Sequence, residues 1–125
     1  MVTAASVAEY IAGFPPEVRE RLERVRAQIV TNVQRSEDSP PPEKIRYGIA
    51  AVLFPGGYAL HFAGWKKHIG LYPVPRLPEP LESEIAPYRA EKDTVAFPHA
   101  RDIPYALIGR VVAEIVRLRG SVDDA

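Results

Sequence analysis

The stretch Ile45-Arg46-Tyr47-Gly48-Ile49-Ala50-Ala51-Val52-Leu53-Phe54-Pro55-Gly56-Gly57-Tyr58-Ala59-Leu60-His61-Phe62-Ala63-Gly64-Trp65-Lys66-Lys67-His68-Ile69-Gly70-Leu71-Tyr72 decides the fold. Its apolar residues recur with a period of two, the mark of strands buried on one face. Ile45, Tyr47 and Ile49 alternate with polar or small residues, and Val52 to Phe54 reads as a second short strand. Pro55-Gly56-Gly57 reads as a turn that brings Phe54 opposite Tyr58. Tyr58, Leu60 and Phe62 then alternate with Ala59, His61 and Ala63. Gly64 to Lys67 turns the chain back into His68–Tyr72.

On either side of this block the period changes to that of a helix. Upstream, Ser6 and Glu9 have the spacing of a capping box, which predicts a short helix over Ser6–Ala12 ending near Gly13. Pro15 and Pro16 suit the first turn of a second helix. Val18, Leu22, Val25, Ile29 and Val33 give that helix, Pro15 to Val33, one apolar stripe. Gln34 to Lys44, with Pro40, Pro41 and Pro42, reads as a loop. Downstream, Pro73, Pro75, Pro78 and Pro80 exclude regular structure apart from extended backbone. A short helix is expected near Glu82–Tyr88 and a last strand at Thr94–Phe97. A final helix is expected to be capped by Asp102, to bury Leu107, Val111, Ile115 and Leu118, and to stop at Gly120. Helices, a strand block and a helix predict an α+β fold, an antiparallel sheet with N-terminal and C-terminal helices mainly on one face.

Composition bounds the function. The 125 residues suit one domain, with a core over about residues 6–119 and a flexible tail at 120–125. The absence of Cys removes disulfides, thiol nucleophiles and thiolate metal sites. The 16 basic and 16 acidic side chains, evenly spread, argue against nucleic-acid binding by phosphate neutralisation. No apolar run approaches the ~20 residues of a membrane span. The opening residues lack an export signal, so a cytoplasmic location is expected. No nucleophile elbow, phosphate loop, dinucleotide fingerprint or zinc-protease motif occurs, and a non-enzymatic protein is expected.

The polar residues of the strand block form the first candidate site. If Ala63 pairs with His68, then His61 pairs with Gly70 and Ala59 with Tyr72. His61, His68 and Tyr72 then share one face over a floor of Ala59, Ala63 and Gly70. Diagonal neighbours on one face lie about 7–8 Å apart, within reach of one small ligand. Two imidazoles suit a transition metal, and a phenol with Lys67 or Lys92 suits a carboxylate or phosphate. With Tyr47, these residues make a candidate ligand or anion pocket. The same alternation also describes the wetter face of an ordinary amphipathic sheet. Leu53 falls on that face too, which leaves room for a covering loop or a homodimer. Trp65, beside Lys66 and Lys67, is expected to fold back on its own sheet.

Several segments together resemble the YdhG-like domain family of bacteria. They are Val7-Ala8-Glu9-Tyr10-Ile11, Ile45 to Ala51, Phe62-Ala63-Gly64-Trp65-Lys66-Lys67-His68-Ile69-Gly70-Leu71-Tyr72-Pro73, Lys92 to Phe97, and Ile103-Pro104-Tyr105-Ala106-Leu107-Ile108. The resemblance implies an α+β fold and a cytoplasmic protein. One member is described as a frataxin-like iron chaperone, which implies iron handed to an iron–sulfur or haem assembly partner. Such a site needs carboxylates gathered on a helical ridge, because hard cations take oxygen ligands. Glu17, Glu20 and Glu23 are the candidates. Against that ridge, Glu17 and Glu20 have Arg21 and Arg24 at the favourable i,i+4 spacing, which reads as a solvated, salt-bridged face.

Overall fold

The computed structural model describes residues 4–33 and 40–120. Helix α1 spans Val7–Ala12, and Ser6 caps it by accepting from the Glu9 amide at 3.1 Å. The Glu9 carboxylate reaches back to the Ala5 amide, one residue before the cap. Helix α2 spans Pro16–Val33 and buries Leu22, Val25, Ile29 and Val33, four of its five stripe residues. Each such burial contributes about 1.5–3 kcal/mol. The strands are β1 Glu43–Arg46, β2 Ile49–Leu53, β3 Ala59–Gly64, β4 His68–Tyr72, β5 Arg89–Glu91 and β6 Thr94–Pro98. Helix α3, Leu81–Ile85, continues into a 3₁₀ turn over Ala86–Tyr88, and helix α4 spans Tyr105–Ile115 with a π-helical turn to Gly120. Gln34–Ser39 and the tail after Gly120 lie outside the described residues.

The sheet is antiparallel throughout, in the order β1-β2-β3-β4-β6-β5. The α+β reading holds, with corrections in detail. Tyr47 is not a strand residue, because Arg46 pairs with Ile49 and leaves Tyr47-Gly48 as a two-residue turn. Strand β5, Arg89–Glu91, falls where the sequence reading placed no element. Asp102 does not cap α4, whose N-cap is Pro104 with no side-chain cap bond. The buried face of α4 is Ile108, Val111, Val112 and Ile115, while Leu118 is exposed. The π-helical turn rotates Leu118 off the α-helical stripe.

One sheet face packs under the helices. Ala50 and Val52 of β2, Leu60 and Phe62 of β3, Ile69 and Leu71 of β4, and Val95 and Phe97 of β6 join the side chains of α2 and α4 in a single core. The Arg26 guanidinium grips the Glu43 carboxylate through two bonds of 2.7 and 2.6 Å, tying edge strand β1 to α2.

The proline-rich passage from Pro73 to Pro80 is held by a second charge pair, whose carboxylate is buried. Glu82, 5% exposed, accepts two bonds from Arg89 and one from the Leu77 amide. Arg89 also donates to the carbonyls of Val74, Pro75 and Lys92. The Arg89 bonds hold the Glu82 carboxyl at about 2, below its ordinary 4.5. The unfolded chain therefore takes the proton first as acid is added. The stabilisation is complete above pH 4.5 and is lost as pH falls through about 2. Urea denaturation of Glu82→Ala at neutral pH is expected to show a loss of about 3 kcal/mol, because a half-buried guanidinium loses its counter-charge and the Leu77 amide its acceptor. A loss within experimental error would mean that the passage is held by its prolines alone.

Candidate functional site

Among the described residues the second sheet face carries no helix. Register places Ile49, Ala51 and Leu53 of β2, Ala59, His61 and Ala63 of β3, His68, Gly70 and Tyr72 of β4, and Ala96 of β6 on it. Small residues make its floor, and a few large side chains stand on them.

The β3–β4 hairpin sets which of these meet. The Trp65 amide donates to the His68 carbonyl at 2.8 Å, so only Lys66 and Lys67 form the loop. Ala63 consequently faces Gly70, and His61 faces Tyr72. The expected register is off by two residues, which preserves the faces but changes the neighbours. His68 now lies four residues along β4 from the partner of His61, about 13 Å away along the strand. The two imidazoles are not brought together, and Tyr72 stands directly opposite His61 instead.

Tyr72 leans over Gly70, where its hydroxyl accepts from Trp65 Nε1 at 3.0 Å. An added Cβ at Gly70 would lie 2.7 Å from Tyr72 Cε1 and 3.2 Å from Trp65 Nε1. Glycine is therefore required for this pair to lie flat on the sheet. Trp65 folds back on its own sheet, 47% exposed, with its ring 6.4 Å from that of His68. The Trp65 carbonyl accepts from His99 Nε2, and the Lys67 carbonyl accepts from the His99 amide, so His99 pins this turn.

His61 is 9% exposed. Its Nδ1 lies 3.2 Å from the Tyr72 carbonyl, which can only accept, so Nδ1 carries the proton. Burial pushes the imidazole below its usual 6.5, and the nearby Arg46 charge adds to the effect. The ring is neutral at physiological pH, with a lone pair on Nε2. That Nε2 is buried and has no hydrogen-bond partner among the described residues. Buried polar atoms are rarely left so.

Beside it, Tyr47, Ile49, His61, Tyr72, Pro73, Asp93 and Thr94 line a shallow, open cleft of about 380 Å³. Tyr47 is 84% exposed, its ring 5.8 Å from that of His61. It sits at φ 56°, followed by Gly48 at φ 78°, the backbone of a type I′ hairpin turn. A bulky residue in the left-handed region costs roughly 1–2 kcal/mol. Glycine at 48 meets its own requirement; tyrosine at 47 does not.

Of the other expected site residues, Lys67 lies just before β4 and Lys92 in the β5–β6 turn beyond the other end of that strand. The structure does not bring them together. Asp93 and Thr94, which the sequence reading passed over, line the cleft in place of Lys92. The one signal for them was the turn position between two short strands.

Glu17, Glu20 and Glu23 lie exposed along α2. The expected pairs with Arg21 and Arg24 do not form, since Arg21 donates to the Arg101 carbonyl and Arg24 stacks 4.1 Å from the centre of the Tyr105 ring. Glu23 is 3.4 Å from Arg26. Among the described residues no three His, Asp or Glu side chains gather closely enough to share a metal ion. A larger apolar hollow of about 510 Å³ lies between Val33, Pro40–Pro42 and Leu53–Pro55, without a titratable group among the residues that line it.

No family model matches the chain, and no curated protein matches it. Among solved structures, a DUF1801-family protein, YdhG of Bacillus subtilis, shares the fold with a TM-score of 0.70, 21% identity and 94% of each chain covered.

Tyr47→Asn is expected to raise stability by about 1 kcal/mol, because Asn tolerates the left-handed region. Thermal unfolding checks this. An unchanged or lowered melting temperature would mean that the Tyr47 ring repays its backbone cost by packing.

Proposed function

We propose that this chain is a non-catalytic binding domain of the YdhG-like kind, whose second sheet face holds a small molecule between Tyr47, His61 and Tyr72. The unpartnered Nε2 of buried His61, beside a cleft with aromatic walls, carries the reading. A buried acceptor without a partner costs about 1–3 kcal/mol, and a ligand donor recovers that energy. The strained Tyr47 beside it is a second cost at the same place, and such costs gather at sites of recognition. The iron-chaperone role of the family resemblance has less support, because the α2 carboxylates are spread along the helix and Glu23 already faces Arg26.

Amide shift mapping by NMR tests this reading, with p-cresol as an aromatic hydroxyl probe and anaerobic Fe(II) as the metal probe. p-Cresol is expected to move the signals of Gly48, Ile49, His61 and Thr94 in the wild type and to leave them unmoved in His61→Phe. Fe(II) is expected to leave α2 unperturbed. Saturable Fe(II) effects centred on Glu17, Glu20 and Glu23, with no response to p-cresol, would replace this reading by the metal one.

A further inference from the structure

The cleft is chemically lopsided. His61 of β3 is among its lining residues, and its Nε2 is a buried acceptor without a partner among the described residues. Asp93 offers a carboxylate at one rim, beside the start of β6 and two strand spacings from β3, about 10 Å at the backbone. Asp93 has no salt-bridge partner among the described residues. Arg89, whose field reaches it, is already gripped by Glu82. On the opposite side Arg46 of β1 lies over the Tyr47 ring, 5.5 Å from its centre. The charge order across the sheet is thus cation, neutral acceptor, anion. Between acceptor and anion stand Tyr72 and Pro73, at the end of β4, while Tyr47 and Ile49 flank His61 on the Arg46 side.

Resting on the binding reading above, we infer that the ligand class is an aromatic amine, a ring bearing a hydroxyl or N–H donor with a protonated amine on a short arm. The ring donor meets His61 Nε2, a buried acceptor that lacks a partner among the described residues. The ring lies among the side chains of Tyr47 and Tyr72 at the offset or edge-on geometry that aromatic pairs favour. The ammonium reaches Asp93, turned to that side because Arg46 repels it from the other. An anionic ligand of the same shape meets Asp93 with like charge and is rejected, which is how repulsion supplies specificity.

Three probes that share a phenol ring separate these elements: tyramine, with an ammonium arm, p-cresol, with none, and 4-hydroxyphenylacetate, with a carboxylate. Titrations of the full chain, followed on the Ile49, His61 and Thr94 amides, are expected to give tyramine at least tenfold tighter than p-cresol, with 4-hydroxyphenylacetate weaker than both. Asp93→Asn, a conservative change in an exposed turn, is expected to bring tyramine to within about twofold of p-cresol. If p-cresol or 4-hydroxyphenylacetate binds in the cleft as tightly as tyramine, the amine assignment is overturned while the binding reading stands. A tyramine preference that survives Asp93→Asn also overturns it. If none of the three perturbs these residues, both fall.

Discussion

A two-residue loop sets what the second sheet face of this protein can do. Because Trp65 pairs with His68, Lys66 and Lys67 alone turn the β3–β4 hairpin, and every pairing after them follows. His61 is thereby set against Tyr72, whose carbonyl takes the Nδ1 proton and leaves Nε2 as a buried lone pair. Tyr72 lies over Gly70 and receives the Trp65 indole. A longer loop would bring His61 diagonal to His68 and make a different site, better suited to a metal. Turn length, more than residue type, separates these two chemistries.

The helix-covered face supplies the rigidity, and the charge pair of Glu82 and Arg89 carries it to the rim of the cleft. Arg89 binds the carbonyls of Val74, Pro75 and Lys92, while the Val74 amide donates to the Asp93 carbonyl at 2.8 Å. The exit of β4 and the β5–β6 turn are therefore held as one piece. Tyr58 donates to the Pro73 carbonyl, and burial pushes its hydroxyl up to about 12, so the bond persists through the neutral range. Pro73 and Asp93 stand on this piece, and Tyr47 stands on the Tyr47-Gly48 turn across the cleft from it. The opposed walls thus differ: one is over-determined by hydrogen bonds, the other rests on a two-residue loop in a costly backbone conformation.

Much of this was legible in the sequence, for definite reasons. The alternation from Ile45 to Tyr72 gives the sheet and its two faces, because a two-residue error in register leaves each side chain on its face. The same insensitivity hides the register, so His61 and His68 were expected together and stand apart. Tyr47 was read as a strand residue because it continues the alternation of Ile45 and Ile49, whereas the telling feature was a glycine directly after it between alternating segments. The stripe of α2 is legible because burial repeats every turn; the end of α4 is not, because its π-helical turn breaks that repeat. Glu82 and Arg89 had no sequence signal. They are seven residues apart, and their pairing depends on how the prolines route the chain.

The central claim is that His61 is held neutral, protonated on Nδ1, with Nε2 free to accept. Long-range ¹H–¹⁵N spectra of the imidazole rings at pH 7 test it directly. The account predicts a protonated, pyrrole-type Nδ1 and a pyridine-type Nε2 for His61, with the ring resisting protonation until below its usual 6.5. A His61 ring carrying its proton on Nε2, or already cationic at pH 7, would contradict it, because the cleft would then offer a donor where the account requires an acceptor.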